Sequence, residues 1–348
     1  MRFYTQKHLY YCGIDLHARS MYLCILDHDD GQVVFHRSVR AEPEPFLKAI
    51  AAYRKDIVVA VECIFTWYWL ADLCAQEGIP FVLGHALYMK AIHGGKAKND
   101  KIDARKIAGL LRSGMIPQAY VYPARMRPTR DLLRRRTFMV RKKAELLSHI
   151  QNTNSQYNLP AFKRNLASKC HRVGVAEHFP NPTVRKSIQA NLVLIEVYGK
   201  LIRELELYIV RTAKEHDPQA FHLLQTVPGI GTTLALVILY EIHDIRRFPT
   251  VQDFASYSRL VKCAKMSAGK KHGYSGNKIG NANLKWAFSE AAALFLGGNP
   301  RGQKLKARLE SKHGKGKAMS ILAHKLGRAV YYMLRRNQAF DVDKFFGC

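Results

Sequence analysis

The segment DIVVAVEC (56–63) is an unbroken apolar run of strand length. A strand with no polar alternation is buried on both faces, as in a parallel sheet covered by helices. It ends near a carboxylate, Glu62, and a second apolar run, YYCGIDLH (10–17), ends near another, Asp15. Two further acids, Asp100 and Asp103, stand at i and i+3 in KNDKIDARKIAGLL (98–111), so they share one face of a helix starting near Asn99. Carboxylates gathered by a sheet and a helix repel one another unless a cation holds them, and hard divalent ions such as Mg²⁺ take oxygen ligands. Two such ions about 4 Å apart clamp the attacking and leaving oxygens of a phosphoryl transfer. The pattern points to metal-dependent chemistry on a nucleic-acid backbone.

The surrounding segments give a fold. YYCGIDLH, MYLCILDHD and QVVFHRSV read as three strands, the last two joined by Asp30-Gly31, a hairpin signal. A helix is predicted from Pro45 to about Arg54, a buried parallel strand over 56–63, an amphipathic helix over 66–78 stopped by Gly78, a strand over 80–86 and a helix over 100–114. The order β-β-β-α-β-α-β-α is that of an α/β RNase H-like domain, expected over 1–124. Trp67 and Trp69 read as packing between helix and sheet, and Asp27, Asp29 and Asp30 as turn residues.

Lys plus Arg number 55 against 27 Asp plus Glu, a net charge of +28, which calls for a polyanionic partner, either nucleic acid or an acidic membrane surface. No apolar run is long enough to span a bilayer and the N-terminus lacks the pattern of a signal peptide, so a cytoplasmic, non-membrane protein is expected. The 7 cysteines are dispersed with no C-x-x-C pair, which argues against a disulfide framework or a zinc site.

Residues 125–218 form a different region. Nine basic residues lie between Arg125 and Lys143 against one acid, Asp131, with apolar residues at helical spacing. A second helix is predicted over 184–216, after a proline-containing stretch. The two form an antiparallel pair or coiled coil, read either as a spacer with an oligomerisation surface or as two ordinary core helices. Arg134, Arg135 and Lys142 are candidate nucleic-acid contacts, although three consecutive arginines cannot all face one partner.

The C-terminal part, 219–348, is expected to be mostly α. It opens with helix, Pro228-Gly229-Ile230-Gly231, helix, which resembles a helix-hairpin-helix element whose glycines and second-helix N–H groups, at Gly229 and Gly231, can approach a phosphate. An ordinary helix–turn–helix corner has the same pattern. Lys262 to Lys285 holds six basic residues and no acid, broken by Ser and Gly, and reads as a long phosphate-handling loop with Lys265, Lys270, Lys271 and Lys278. A serine among lysines is either a hydrogen-bonding residue or a nucleophile toward phosphorus. ILAHKLGRAVYYML (321–334) reads as a packed amphipathic helix.

The combination of GIDLH (13–17), VE (61–62), KNDKIDARKIA (98–108), TVPGIG (226–231) and S-x-G…G…N-K-x-G-N-x-x-L-K-W-A (267–287) resembles the insertion-sequence 110 family of transposases, the DEDD transposases, which include Piv-type DNA invertases. The resemblance runs over nearly the whole chain in family order. It implies a RuvC-like N-terminal domain in which Asp15, Glu62, Asp100 and Asp103 bind Mg²⁺. It also implies a C-terminal domain whose serine attacks DNA to give a phosphoserine link, with Ser267 at the matching position and Ser275 as the alternative. It further implies a guide RNA that pairs with target and donor DNA, and a homo-oligomer, dimer or tetramer. The family commonly has Ser-Gly at the serine, whereas here Ala268 follows Ser267. The competing reading is a hydrolytic RuvC-like nuclease acting on Holliday junctions, with water as nucleophile.

Overall fold

The computed structural model describes residues 2–92, 99–213, 217–275 and 279–347. The chain divides into two compact units, one ending at Arg125 and the other running from Met126. Among the described residues no helix is long and apolar enough to cross a membrane.

In the N-terminal unit, β1 (Tyr10–Leu16), β2 (Ser20–Asp27) and β3 (Val33–Arg40) form an antiparallel meander. They are followed by α1 (Pro43–Ile50), β4 (Ile57–Glu62), α2 (Tyr68–Gln76), β5 (Phe81–Gly84), α3 (Ala86–Ile92) and α4 (Asp100–Arg112). The sheet order is β3-β2-β1-β4-β5, with β4 parallel to both β1 and β5, consistent with the RNase H-like reading. The expected helix over 45–54 begins at Pro43, and its last residues tighten into a single 3₁₀ turn, Ala51–Tyr53.

Alternation along β1 divides the core between the two sheet faces. Cys12, Ile14 and Leu16 pack with Phe46, Ile50, Leu70 and Cys74 of α1 and α2. On the opposite face Tyr11, Val58 and Ala60 meet Ile107, Leu110 and Leu111 of α4. The same parity puts Gly13, Asp15 and Glu62 on the α4 face.

The second unit begins with α5 (Arg127–Gln156) and α6 (Pro182–Ala213). They are antiparallel: Leu133 and Ile209 share one apolar cluster, whereas Ile150, Ile188 and Ile195 share another with Leu166 and Phe179 of the connecting stretch. Then come α7 (Pro218–Gln225), α8 (Thr232–Ile242), α9 (Val251–Tyr257), β6 (Cys263–Ser267), β7 (Lys270–Ser275), α10 (Ala282–Leu294), α11 (Pro300–His313), α12 (Lys315–Arg336) and α13 (Val342–Phe346). Every residue of α8 from Leu234 to Ile242 is buried, so this helix is the axis around which the others pack. Leu133 and Ile209 join that core, so no division of the core falls at residue 218. The glycine- and serine-rich stretch expected as a loop contains instead an antiparallel hairpin, β6–β7.

Candidate active site

The acidic residues are brought together by strand register and one close helix approach. The β1–β4 ladder pairs Ile14 with Val61, so Asp15 and Glu62 come next in register at the C-terminal ends of adjacent parallel strands. Two residues before Asp15 stands Gly13. A Cβ built there would lie 2.2 Å from the Ala108 nitrogen and 2.4 Å from the Ala104 oxygen. Glycine in β1, with fully buried alanines in α4, therefore lets helix backbone rest directly on strand backbone. α4 begins one turn earlier. The Asn99 side chain caps it, accepting from the Ile102 N–H at 2.8 Å, and Asp100 and Asp103 occupy its first turn, where carboxylates also favour the helix dipole.

The result is a compact set of oxygen and nitrogen donors. His17 Nε2 lies 3.4 Å from Asp15 Oδ2 and 3.5 Å from Asp100 Oδ1. Ligand atoms of Asp15, His17 and Asp100 all fall within 4.8 Å of one another. Burial raises the Asp15 carboxyl above the usual aspartate range; His17 opposes that, and the charges of Asp100 and Asp103 add to the rise. Asp103 also meets Lys106 Nζ at 3.4 Å. Carboxylates placed against their own repulsion, with oxygen-rich donors converging, fit a hard divalent cation. Asp15 and Asp100 thus meet through His17, with Asp103 in the same first turn of α4, while Glu62, half-buried, is placed beside Asp15 by register. His17, just past the end of β1, was not singled out as a site residue from sequence, where a histidine two residues after an aspartate carries no distinguishing signal.

In the second unit Ser267 ends β6 and pairs with Lys270 across a two-residue turn. Ala268 and Gly269 both have positive φ, 48° and 74°, as a type I′ turn requires. This explains why glycine suits the position after the serine. Ser267 and Lys270 are exposed at the hairpin tip, whereas Ser275 pairs with Cys263 at its base. The side chains of Lys265, Lys271 and Ser275, and the whole of Lys278, lie outside the described residues.

Other expected nucleic-acid contacts divide by environment. Gly229 has φ 86°, and a Cβ there would sit 2.5 Å from the Phe295 nitrogen, so helix packing by itself requires this glycine. Gly231, the N-cap of α8, has open space where a Cβ would be. Arg134 gives Nε and Nη2 to Glu241 at 2.7 and 3.0 Å. Arg135 instead flanks the exposed Phe138 ring at 5.5 Å from its centroid; Lys142, 5.7 Å from the same ring, also donates to Glu145 at 2.7 Å.

Glu241, 2 % exposed, carried no sequence signal beyond a lone acid in an apolar helix. It accepts from Arg130, Arg134, the Asn281 amide at 2.7 Å and the Asn283 amide at 3.2 Å. Burial alone would raise its carboxyl, but Arg134, Arg130 and Asn281 outweigh that and hold it below the usual glutamate range. Asn281 also caps α10, so one carboxylate ties α5, α8 and the start of α10 together.

An RNase H-like sheet with carboxylates at its parallel strand ends, followed by a basic helical unit, defines a class of metal-using enzymes acting on nucleic acid. The particular family follows from two matches. The DEDD transposase model of the IS110 type matches residues 12–158, and the Transposase IS116/IS110/IS902 family model matches residues 221–306. The transposase for insertion sequence element IS1111A of Coxiella burnetii is 23% identical over 349 residues, covering 97% of this chain and 92% of that protein. The pilin gene-inverting protein of Moraxella bovis is 34% identical over 126 residues, 34% of this chain and 38% of that protein. The chain belongs to the IS110 family of transposases, enzymes that cleave and rejoin DNA with a divalent metal.

Proposed function

We propose that this chain is the RNA-guided recombinase of its insertion sequence. Asp15, Glu62, Asp100 and Asp103 hold Mg²⁺, and Ser267 is the nucleophile that carries the DNA strand. The observation that carries the reading is the convergence of Asp15, His17 and Asp100 at the strand ends, beside the close Gly13 contact, with Asp103 one turn along the same helix. Bound there, Mg²⁺ supplies charge neutralisation at a scissile phosphate.

The chain's own groups do the rest. His17 orients Asp15 and Asp100 from between them. Ser267 stands exposed at a turn tip with Lys270 paired opposite, a cation able to balance charge developing on the phosphoryl oxygens. The Ser267 Oγ–P bond forms as the P–O3′ bond breaks; the proton lost from Oγ is balanced by the one gained by the departing 3′-oxygen. The phosphoserine conserves the bond energy, and attack by another 3′-hydroxyl reverses the step and rejoins the strand.

The +28 charge supports binding of both DNA and a guide RNA through their backbones, leaving sequence to base pairing. A stripe of exposed Val193, Val197, Leu201 and Tyr208 at helical spacing on α6 supports self-association as a dimer or tetramer.

The test is adduct trapping with Mg²⁺, the element's junction DNA and RNA from its own non-coding flank. The expected result is a denaturation-resistant protein–DNA adduct mapped to Ser267, absent in Ser267→Ala and in Asp15→Ala and dependent on the RNA. Cleavage at the normal rate by Ser267→Ala, with no adduct, would replace this reading with the hydrolytic nuclease.

A further inference from the structure

A cavity of about 300 Å³ opens between the C-terminal half of α12 and the segment from Gln338 to Phe345. Its floor is apolar, from Met333, Phe340 and Phe345. Its wall carries Lys325, Arg328, Arg336 and Lys344 against one carboxylate, Asp341, and that carboxylate already caps α13 by accepting from the Lys344 N–H at 2.9 Å. Among the described residues none of these four cations pairs with an acid.

The cations and aromatics are arranged in stacks. The Arg336 guanidinium lies over the Tyr332 ring at 5.0 Å, and Lys325 Nζ lies over Phe345 at 5.0 Å. Tyr332 is 37 % exposed and Arg336 is exposed, so the ring and the flat guanidinium stacked on it both reach solvent. Burial and the nearby Arg308 hold the Lys325 ammonium below the usual lysine range, as expected where positive charges crowd without a counter-ion.

An apolar floor, a stacking platform and unneutralised cations at the rim match one chemistry. The floor takes a flat heterocycle and the rim takes the phosphates on either side of it. A duplex cannot offer this, because its bases are stacked inside. A carboxylate-bearing peptide would use the cations but not the stacking platform.

We propose that this cavity captures an unpaired nucleotide of single-stranded nucleic acid, with its base against Tyr332 and Arg336 and its flanking phosphates on Arg328 and Lys344. The choice of polymer rests on the transposase reading, since recombination exposes single strands of DNA and a guide RNA has unpaired loops.

The experiment uses the full chain in chelator, so that no cleavage occurs. Fluorescence anisotropy measures binding of a labelled single-stranded DNA of about 12 nucleotides, within the site size such surfaces cover, alongside the same sequence as RNA and as DNA duplex. Tyr332→Ala is expected to weaken single-strand binding about tenfold, the size of one base–aromatic stack, and to leave duplex binding unchanged. Tyr332→Phe keeps the platform and is expected to bind as wild type.

Strands containing 5-iodouracil are expected to crosslink within residues 325–345, and to lose that crosslink in the Arg328→Gln/Arg336→Gln variant. The polymer showing the larger Tyr332→Ala loss, DNA or RNA, identifies the occupant. Equal losses for duplex and single strand, wild-type affinity in Tyr332→Ala, or crosslinks lying only elsewhere would overturn the proposal. These readouts need no phosphoserine, so failure of the serine mechanism and failure of this pocket are separable.

Discussion

Gly13→Ala puts the assembly of the acidic site to a direct test. The new methyl would meet backbone, not a movable side chain, at 2.2 Å from Ala108 N and 2.4 Å from Ala104 O. Ordinary van der Waals contact begins near 3.4 Å, so α4 must retreat by about 1 Å. Overpacking of that kind costs roughly 1–3 kcal/mol of stability. The helix carries Asp100 and Asp103 in its first turn, so the same retreat draws two carboxylates away from Asp15, and a misplacement of about 1 Å costs on the order of 100-fold in rate. The matched control is Gly109→Ala in the same helix, where a Cβ meets nothing within 4 Å. That change removes backbone entropy from the unfolded chain and should stabilise by about 0.5–1 kcal/mol. Calorimetry of Mg²⁺ binding and thermal melting, run on both variants, give the readout. Expected is weakened metal binding with a lowered melting temperature in Gly13→Ala, and wild-type metal binding with a raised one in Gly109→Ala. Wild-type metal affinity and melting in Gly13→Ala would refute the argument that backbone contact sets the site.

Glu241→Gln leaves two arginines facing a neutral amide and should cost about 3–5 kcal/mol, as breaking a buried pair does; a urea melt measures it. Because the Glu241 carboxyl is depressed in the folded state, its stabilisation is present above the ordinary glutamate value and lost as pH falls through the depressed one, and this acid limb should vanish in the variant. Asp15 has the opposite sign. Its raised carboxyl means the folded state holds the proton more tightly, so stability falls as pH rises from the ordinary aspartate value through the raised one. Metal-free Asp15→Asn should therefore melt higher than wild type at neutral pH, and a lower melt there would contradict the crowding of acids. Ala268→Gly relieves a left-handed alanine worth about 1 kcal/mol, and should slow amide exchange across the β6–β7 hairpin. Arg135→Gln should reduce the slope of log affinity for duplex against log salt by about 0.9, whereas Arg134→Gln should show its main effect in melting temperature.

Much of the N-terminal unit was legible because its signals are local. Apolar runs of strand length, Asp30-Gly31 between β2 and β3, and a capping asparagine before Asp100 each fix an element without reference to the rest of the chain. That Asp15 stands beside Glu62 was not legible, because it depends on β1 and β4 being parallel neighbours, a pairing between segments about forty residues apart. His17 was missed because a histidine two residues after an aspartate is indistinguishable in sequence from a solvated one; its meaning comes from Asp100, which only tertiary packing supplies. The β6–β7 hairpin was missed for a different reason. Its turn is Ala268-Gly269, not the Asn-Gly that marks a type I′ turn, and the lysines around it hide any alternation of apolar residues.

The charge run on α5 shows where sequence reading stops and why. All nine cations between Arg125 and Lys143 contribute equally to a composition argument, yet they do two kinds of work. Arg130 and Arg134 converge on Glu241, and Arg136 gives its Nε to Glu206 of α6 at 2.8 Å. These three hold helices together, and their guanidiniums are engaged by two carboxylates within the fold. Arg135, one position from Arg134 and Arg136, is turned about 100° from each and stands exposed beside Phe138. Successive residues on a helix are about 100° apart, so three consecutive arginines must diverge. The acids that claim two of them lie about 70 to 107 residues downstream. A polyanion is therefore met by fewer cations than the run suggests, and those left for it are the ones whose helical phase turns them away from Glu241 and Glu206.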